Sequence, residues 1–302
     1  MKTPINLVGA AVLLLAATVS HAAIQVFACS PEWGSLVTEI AGPRASIFVA
    51  TTAMQDVHRI QARPSLIARA RTADLIVCTG AELEVGWMPL VRSQTGNDRI
   101  QPGKPGWLEV ANVVPRIEVP TSVDRAMGDV HPMGNPHIQF GPKQIRLAAG
   151  ELSRRLISID PAGAADYKTR LADFTRRWDD ATDRWMRDGA PLKGVTVIQH
   201  HKNFSYLFDF LGMRQVSSLE PKPGVEPTSA HLRDLVENQK TDPVRMIVRA
   251  SYQSPDASEW LAQHISVPAL MLPATVGGSD GATNLFTLFD DCIRRMLSVL
   301  ES

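Results

Sequence analysis

Apolar residues in the first third of the chain fall into short blocks with two kinds of spacing. "IQVFACS" (24–30) is a compact apolar run that reads as a buried strand. "PEWGSLVTEIAG" after it keeps its apolar residues at helical spacing until Gly42. "ASIFVAT" predicts a second strand, "PSLIARARTA" a helix opened by Pro64 and Ser65, and "DLIVCTG" a third, buried strand. This alternation predicts an α/β unit with a mostly parallel sheet. A second series begins at 194. "GVTVIQH" is a strand that leads into the aromatic helix "NFSYLFDFLG". "SAHLRDLVENQK" reads as a helix, "RMIVRA" as a strand, "ASEWLAQHI" as a helix and "PALMLPA" as a strand. Two series of similar size predict two lobes rather than one large sheet, and no short-period repeat or low-complexity segment interrupts them.

The most regular segment lies between the two series. Ala164, Tyr167, Leu171, Phe174, Trp178, Ala181 and Trp185 recur three and four residues apart, which is one apolar stripe on a helix from Pro161 to Arg187. At ~1.5 Å per residue such a helix is about 40 Å long. It holds too few heptads for a stable coiled coil, so it is expected to join the lobes within one molecule. The expected organisation is a leader at 1–22, an N-terminal lobe at 23–160, the linking helix at 161–187 and a C-terminal lobe at 188–302.

Charge narrows the choice of partners. Lys plus Arg and Asp plus Glu number 31 each, so no net field favours nucleic acid or an anionic surface. The N-terminus combines Lys2, an apolar run over 5–19 and small residues at Ser20 and Ala22, the pattern of a secretory signal peptide cut after Ala22. The run is short for a span of ~20 residues, and no cysteine at the cut offers a lipid anchor. The mature chain is therefore expected to be a periplasmic protein that does not span the membrane. Cys29, Cys78 and Cys292 are too few for a disulfide scaffold and show no metal-ligand spacing. They read best as buried small hydrophobes, although an oxidising compartment permits one bridge.

The candidate chemistry lies in the histidines. "GDVHPMGNPHIQFGP" (128–142) displays His131 and His137 among three prolines and three glycines, a density that excludes regular structure. His58 follows the strand "ASIFVAT", His200 and His201 close "VTVIQHH", and Asp280 sits in the glycine-rich "LPATVGGSDGATN" after the last strand. Alone, each is an ordinary loop residue. Together, His58, His137, His201 and Asp280 come from both lobes on loops leaving strands, where open α/β sheets present ligands. Three imidazoles and one carboxylate form a four-coordinate set suited to Zn²⁺.

These residues carry a resemblance to the zinc-binding, substrate-binding proteins of bacterial ABC importers, the cluster A-I (cluster 9) family. "DVHRIQARPS" resembles the family's D-x-H followed by Pro-Ser, and "ADLIVCTGAELE" its strand and turn "ADLVVxNGxxLE". "GNPHIQFGP" resembles "xxPHIWLDP", "IQHHKNFSYLFDFLGM" resembles "xxYHxxxxYFxxxFGL", and "GVEPTSAHL" resembles "GxEPSxxxL". The resemblance spans the mature chain. It implies two α/β lobes joined by one long helix, with His58, His137 and His201 as metal ligands in the cleft. It also implies a carboxylate from the C-terminal loop as fourth ligand, with Asp280 the natural candidate and Asp290 or Asp291 the alternatives. Gln139 and Gly141 depart from the family's Trp and Asp. "TSVDRAMGDVHPM" stands where zinc members often carry a His-rich loop. With Asp124, Asp129 and His131 it reads either as a flap that assists metal capture or as plain surface. Glu226 is a candidate for a hydrogen bond that supports a ligand.

The function implied is capture of Zn²⁺ in the periplasm by a monomer that delivers it to an ABC permease, with a metallochaperone as a further candidate partner. Manganese capture is the rival within the family, and His201 speaks against it because Mn²⁺ prefers oxygen-rich sites. An exported zinc hydrolase is the rival outside the family. It lacks an H-E-x-x-H motif here, and four protein ligands leave no open position for catalysis.

Overall fold

The computed structural model describes residues 22–122 and 128–300, so all of the expected leader except Ala22 lies outside the described residues. The first strand–helix series becomes β1 (Ile24–Ala28), α1 (Pro31–Ala41), β2 (Ala45–Val49), α2 (Pro64–Thr72), β3 (Leu75–Cys78), α3 (Met88–Thr95) and β4 (Trp107–Glu109). Its strands are all parallel, in the order β2-β1-β3-β4. β3 is buried along its whole length, as expected of a parallel strand covered by helices on both faces. Two long helices follow, α4 (Pro142–Ile159) and α5 (Ala164–Asp188).

The second series gives β5 (Thr196–Gln199), α6 (Ser205–Leu211), β6 (Arg214–Ser218), α7 (Ser229–Asn238), β7 (Met246–Ala250), α8 (Asp256–Ile265) and β8 (Ala269–Leu272), closed by α9 (Leu285–Ser298). Its sheet is again fully parallel, and its order β6-β5-β7-β8 repeats the scheme of the first. In both sheets the chain starts at an inner strand, steps outward once and then crosses back. Ligands bind at such switch points, beyond the carboxyl ends of the strands.

α5 is the linking helix expected from the stripe. It begins three residues later than the periodicity predicts, because Asp160 accepts the Gly163 N–H and turns Pro161–Gly163 into a 3-10 turn. Tyr167, Phe174, Trp178, Ala181 and Trp185 are buried against α1, α4 and α9. The Trp178 indole donates to the Pro142 carbonyl (2.9 Å) and the Trp185 indole to Asp290 (2.6 Å). One hydrophobic cluster runs unbroken from Val26 and Leu75 through Phe140, Trp178 and Phe289 to Phe204 and Val197. The two lobes therefore share a core.

The cysteines differ from expectation. Cys29 and Cys78 form a disulfide, and only Cys292 is free and buried. The physical reason is register: β1 pairs Ala28 with Val77, so the next residue of each strand faces the other at a Cα–Cα distance of 4.8 Å.

Candidate metal site

Loops at the carboxyl ends of both sheets meet between the lobes. His58 follows β2 on a single 3-10 turn, Val57–Arg59. Asp56 fixes it twice: one carboxylate oxygen accepts the His58 backbone N–H (3.0 Å) and the ring Nδ1–H (2.8 Å). His137 enters the turn Ile138–Phe140 just ahead of α4, and its backbone N–H donates to the Asn135 side chain (2.9 Å). The Asn135 amide reaches across to the Lys202 carbonyl (2.9 Å), so the proline-rich segment is held to both lobes. His201 follows β5, and its Nδ1–H donates to Glu220 (2.8 Å). That carboxylate is held in turn by the Gly224 N–H (2.9 Å).

The three rings converge. Their centroids lie 5.2–5.5 Å apart, and their nearest nitrogens all fall within 4.8 Å of one another. Nε2 of His137 and Nε2 of His201 are 3.2 Å apart. An ionised carboxylate only accepts hydrogen bonds, so Asp56 and Glu220 fix the proton of His58 and His201 on Nδ1. The Nε2 lone pair of each ring then points inward, the arrangement in which imidazole binds a metal. Burial, followed by the charges of His201, His58 and His131, holds His137 well below the usual imidazole range. Burial pushes Asp56 upward, but the hydrogen bond and charge of His58 outweigh it and keep the carboxylate below its ordinary value. His137 is thereby held as a free base, with the Asp56 anion behind the neighbouring His58.

The other candidates are distributed as follows. Asp280 is exposed in the turn after β8 and does not join the histidines; no carboxylate among the described residues does so at that distance. Asp290 accepts from Arg184 and Trp185, and Asp291 from Ser279, Arg294 and Arg295, so both are committed elsewhere. Asp124 lies outside the described residues. Asp129 lines a cavity of about 210 Å³ beside His58, His200 and His201, and its backbone N–H donates to Pro223 (2.8 Å). His131 stands next to His58, with Nε2 3.2 Å from Nε2 and its own Nδ1 2.9 Å from the Ala81 carbonyl. Glu226 is exposed at the rim of the same cavity, and the carboxylate that supports His201 is Glu220 instead. Among the remaining histidines, His231 bonds the Ser218 carbonyl (2.9 Å), and His264 stacks on Trp260. His200 points its Nδ1 into buried space without a hydrogen-bond partner among the described residues. At the two departures, Gln139 donates to the Ala274 carbonyl (3.1 Å) across the lobes, and the Gln144 side chain fills the space beside Gly141.

A fold with two matching parallel sheets and a histidine cluster between them has known relatives. Residues 26–299 match the family described as zinc-uptake complex component A, periplasmic (ZnuA). The chain belongs to this family. A crystal structure of ZnuA superposes with a TM-score of 0.74 at 20% identity, covering 90% of this chain and 99% of that one, which shows the shared fold. The chain is 20% identical to the manganese ABC transporter substrate-binding lipoprotein PsaA of Streptococcus anginosus, over 81% of this chain and 78% of PsaA. It is 22% identical to the zinc-binding lipoprotein AdcA of Streptococcus pneumoniae, over 76% of this chain but only 45% of AdcA's length. The chain is thus a member of a family of periplasmic metal-binding components of ABC importers. No helix among the described residues is long and apolar enough to cross a membrane.

Proposed function

We propose that this ZnuA-family chain captures Zn²⁺ in the periplasm, after export on the leader at 1–22, and delivers it as a monomer to an inner-membrane ABC permease. Loading is direct or from a metallochaperone. The observation that carries the reading is the convergence of His58, His137 and His201, with the ring protons of His58 and His201 held outward by Asp56 and Glu220. Imidazole nitrogen favours zinc over manganese, whose sites are richer in oxygen. The test is titration of the purified mature chain with each metal against a competing chelator. One equivalent of zinc is expected to bind and to resist displacement by manganese; preference for manganese would overturn the assignment.

Asp56 and Glu220 orient ligands without touching the ion. Asp56→Ala and Glu220→Ala are each expected to weaken zinc binding by about 10- to 100-fold, the usual cost of losing a carboxylate behind a metal-bound histidine. The same chelator competition measures it. An affinity unchanged in both variants would show that packing alone holds the rings.

A further inference from the structure

The expected carboxylate from the C-terminal loop is absent from the cluster, and a fourth nitrogen stands beside it. We propose that His131 is the fourth protein ligand of the bound ion, giving this chain an all-imidazole site. The proposal rests on the zinc reading above.

Geometry is the first argument. Zinc–nitrogen bonds of about 2.0–2.1 Å in a tetrahedron place neighbouring ligand nitrogens about 3.3 Å apart. Nε2 of His58 and Nε2 of His131 are separated by 3.2 Å, and those of His137 and His201 also by 3.2 Å. Each separation matches the length of one edge of such a tetrahedron. His131 stands on the His58 side of the three-histidine group, and completing the figure requires it to close on His137 and His201.

Proton placement is the second argument. The Ala81 carbonyl accepts only, so the proton of a neutral His131 ring sits on Nδ1, as Asp56 dictates for His58. Two lone pairs therefore face each other across 3.2 Å. That arrangement is repulsive until a cation lies between them. Support from the Ala81 carbonyl is the kind of outer contact that fixes metal-bound histidines. The loop's own anchoring agrees: Asp129 is tied to Pro223, and Gly128 and Gly134 at either end have φ of +80° and +98°. A Cβ at Gly134 would lie 2.8 Å from the Ile117 carbonyl, so the bend that presents His131 requires glycine there.

X-ray absorption at the zinc edge of the zinc-loaded mature chain tests the proposal, because imidazole rings leave a countable outer-shell signature. The expected result is four imidazoles in the parent and three plus a light oxygen donor in His131→Ala. Zinc affinity in that variant should fall by about 10- to 100-fold, while Asp280→Ala should match the parent. A parent spectrum of three imidazoles and a carboxylate, with the carboxylate lost in Asp280→Ala, would overturn the proposal and leave zinc transport standing. The parent spectrum decides the matter even if a variant misfolds. Failure of the parent to take up zinc at all would instead overturn the function on which the proposal rests.

Discussion

Alanine in place of His58, His137 or His201 is expected to weaken zinc binding by at least about 100-fold in each case. A structural zinc site is worth about 10–16 kcal/mol, so one of four ligands accounts for roughly 3 kcal/mol, and each 1.4 kcal/mol is tenfold in affinity. No carboxylate among the described residues stands within the three-histidine group as a ready replacement. His200→Ala, His231→Ala and His264→Ala serve as matched controls and should stay within a few-fold of the parent. The pair at 200 and 201 is the sharpest comparison. Their rings are neighbours in sequence, yet only His201 is aimed at the other two histidines and held there by Glu220. Competition with a chromophoric chelator measures all six variants. Normal binding by His201→Ala together with loss in His200→Ala would refute the site as described.

Zinc should also raise the melting temperature substantially. Metal bound only by the native state at 1,000 times its Kd stabilises by about 4 kcal/mol, and for a protein of this size that corresponds to a shift of roughly 7 °C. The pH dependence follows from the depressed imidazoles. Burial, aided by the charge of His58, pulls His131 down to about 4, and His137 lies well below the usual value of 6.5. The unfolded chain takes up protons on these rings as pH falls through 6.5, whereas the folded chain does not. Their contribution to apo stability is thus present above 6.5 and is lost as pH falls toward 4. Zinc competes with protons for the same ring nitrogens, so the zinc-induced shift should shrink as pH falls from 8 toward 4. Thermal scans with and without zinc from pH 4 to 8 check this. A melting temperature indifferent to zinc at neutral pH would count decisively against the cluster.

What the sequence disclosed follows from how local each signal is. The stripe from Tyr167 to Trp185 fixed α5 because helical packing repeats every three to four residues, and the alternation of blocks disclosed both parallel sheets. α4 and α9 carry equally regular apolar spacing, at Ile145, Ala148, Leu152 and Leu156 and at Leu285, Leu288, Cys292 and Met296, so their positions were equally open to reading. β4 and β6 were not. β4 has three residues, and β6 is "RQVSS", a half-polar edge strand whose pattern resembles a loop until its neighbour is known. Of the site, the three converging histidines were recognisable from motif and position. Asp56 was within reach, two residues from His58 on the same turn. Glu220, nineteen residues beyond His201, became visible only when β6 was paired with β5. Likewise the Cys29–Cys78 bridge depends on strand register, and the place of His131 on a contact between two loops, neither of which any local pattern encodes.

The core shared by the lobes bears on how cargo leaves. Prising the sheets apart about α5 would bring part of the cluster around Phe140, Phe204 and Phe289 into water. Wetting about 400 Å² of that surface costs roughly 10 kcal/mol. Such a state would be visited about once in ten million conformations, too seldom to serve a transport cycle unaided. Thermal motion can more readily lift the chain at the rim of the site, residues 128–130 and 221–224, where contacts such as Asp129 to Pro223 and Arg59 to Gly224 are single hydrogen bonds. The shared core thus makes the lobes a frame, and opening is expected to begin at these loops.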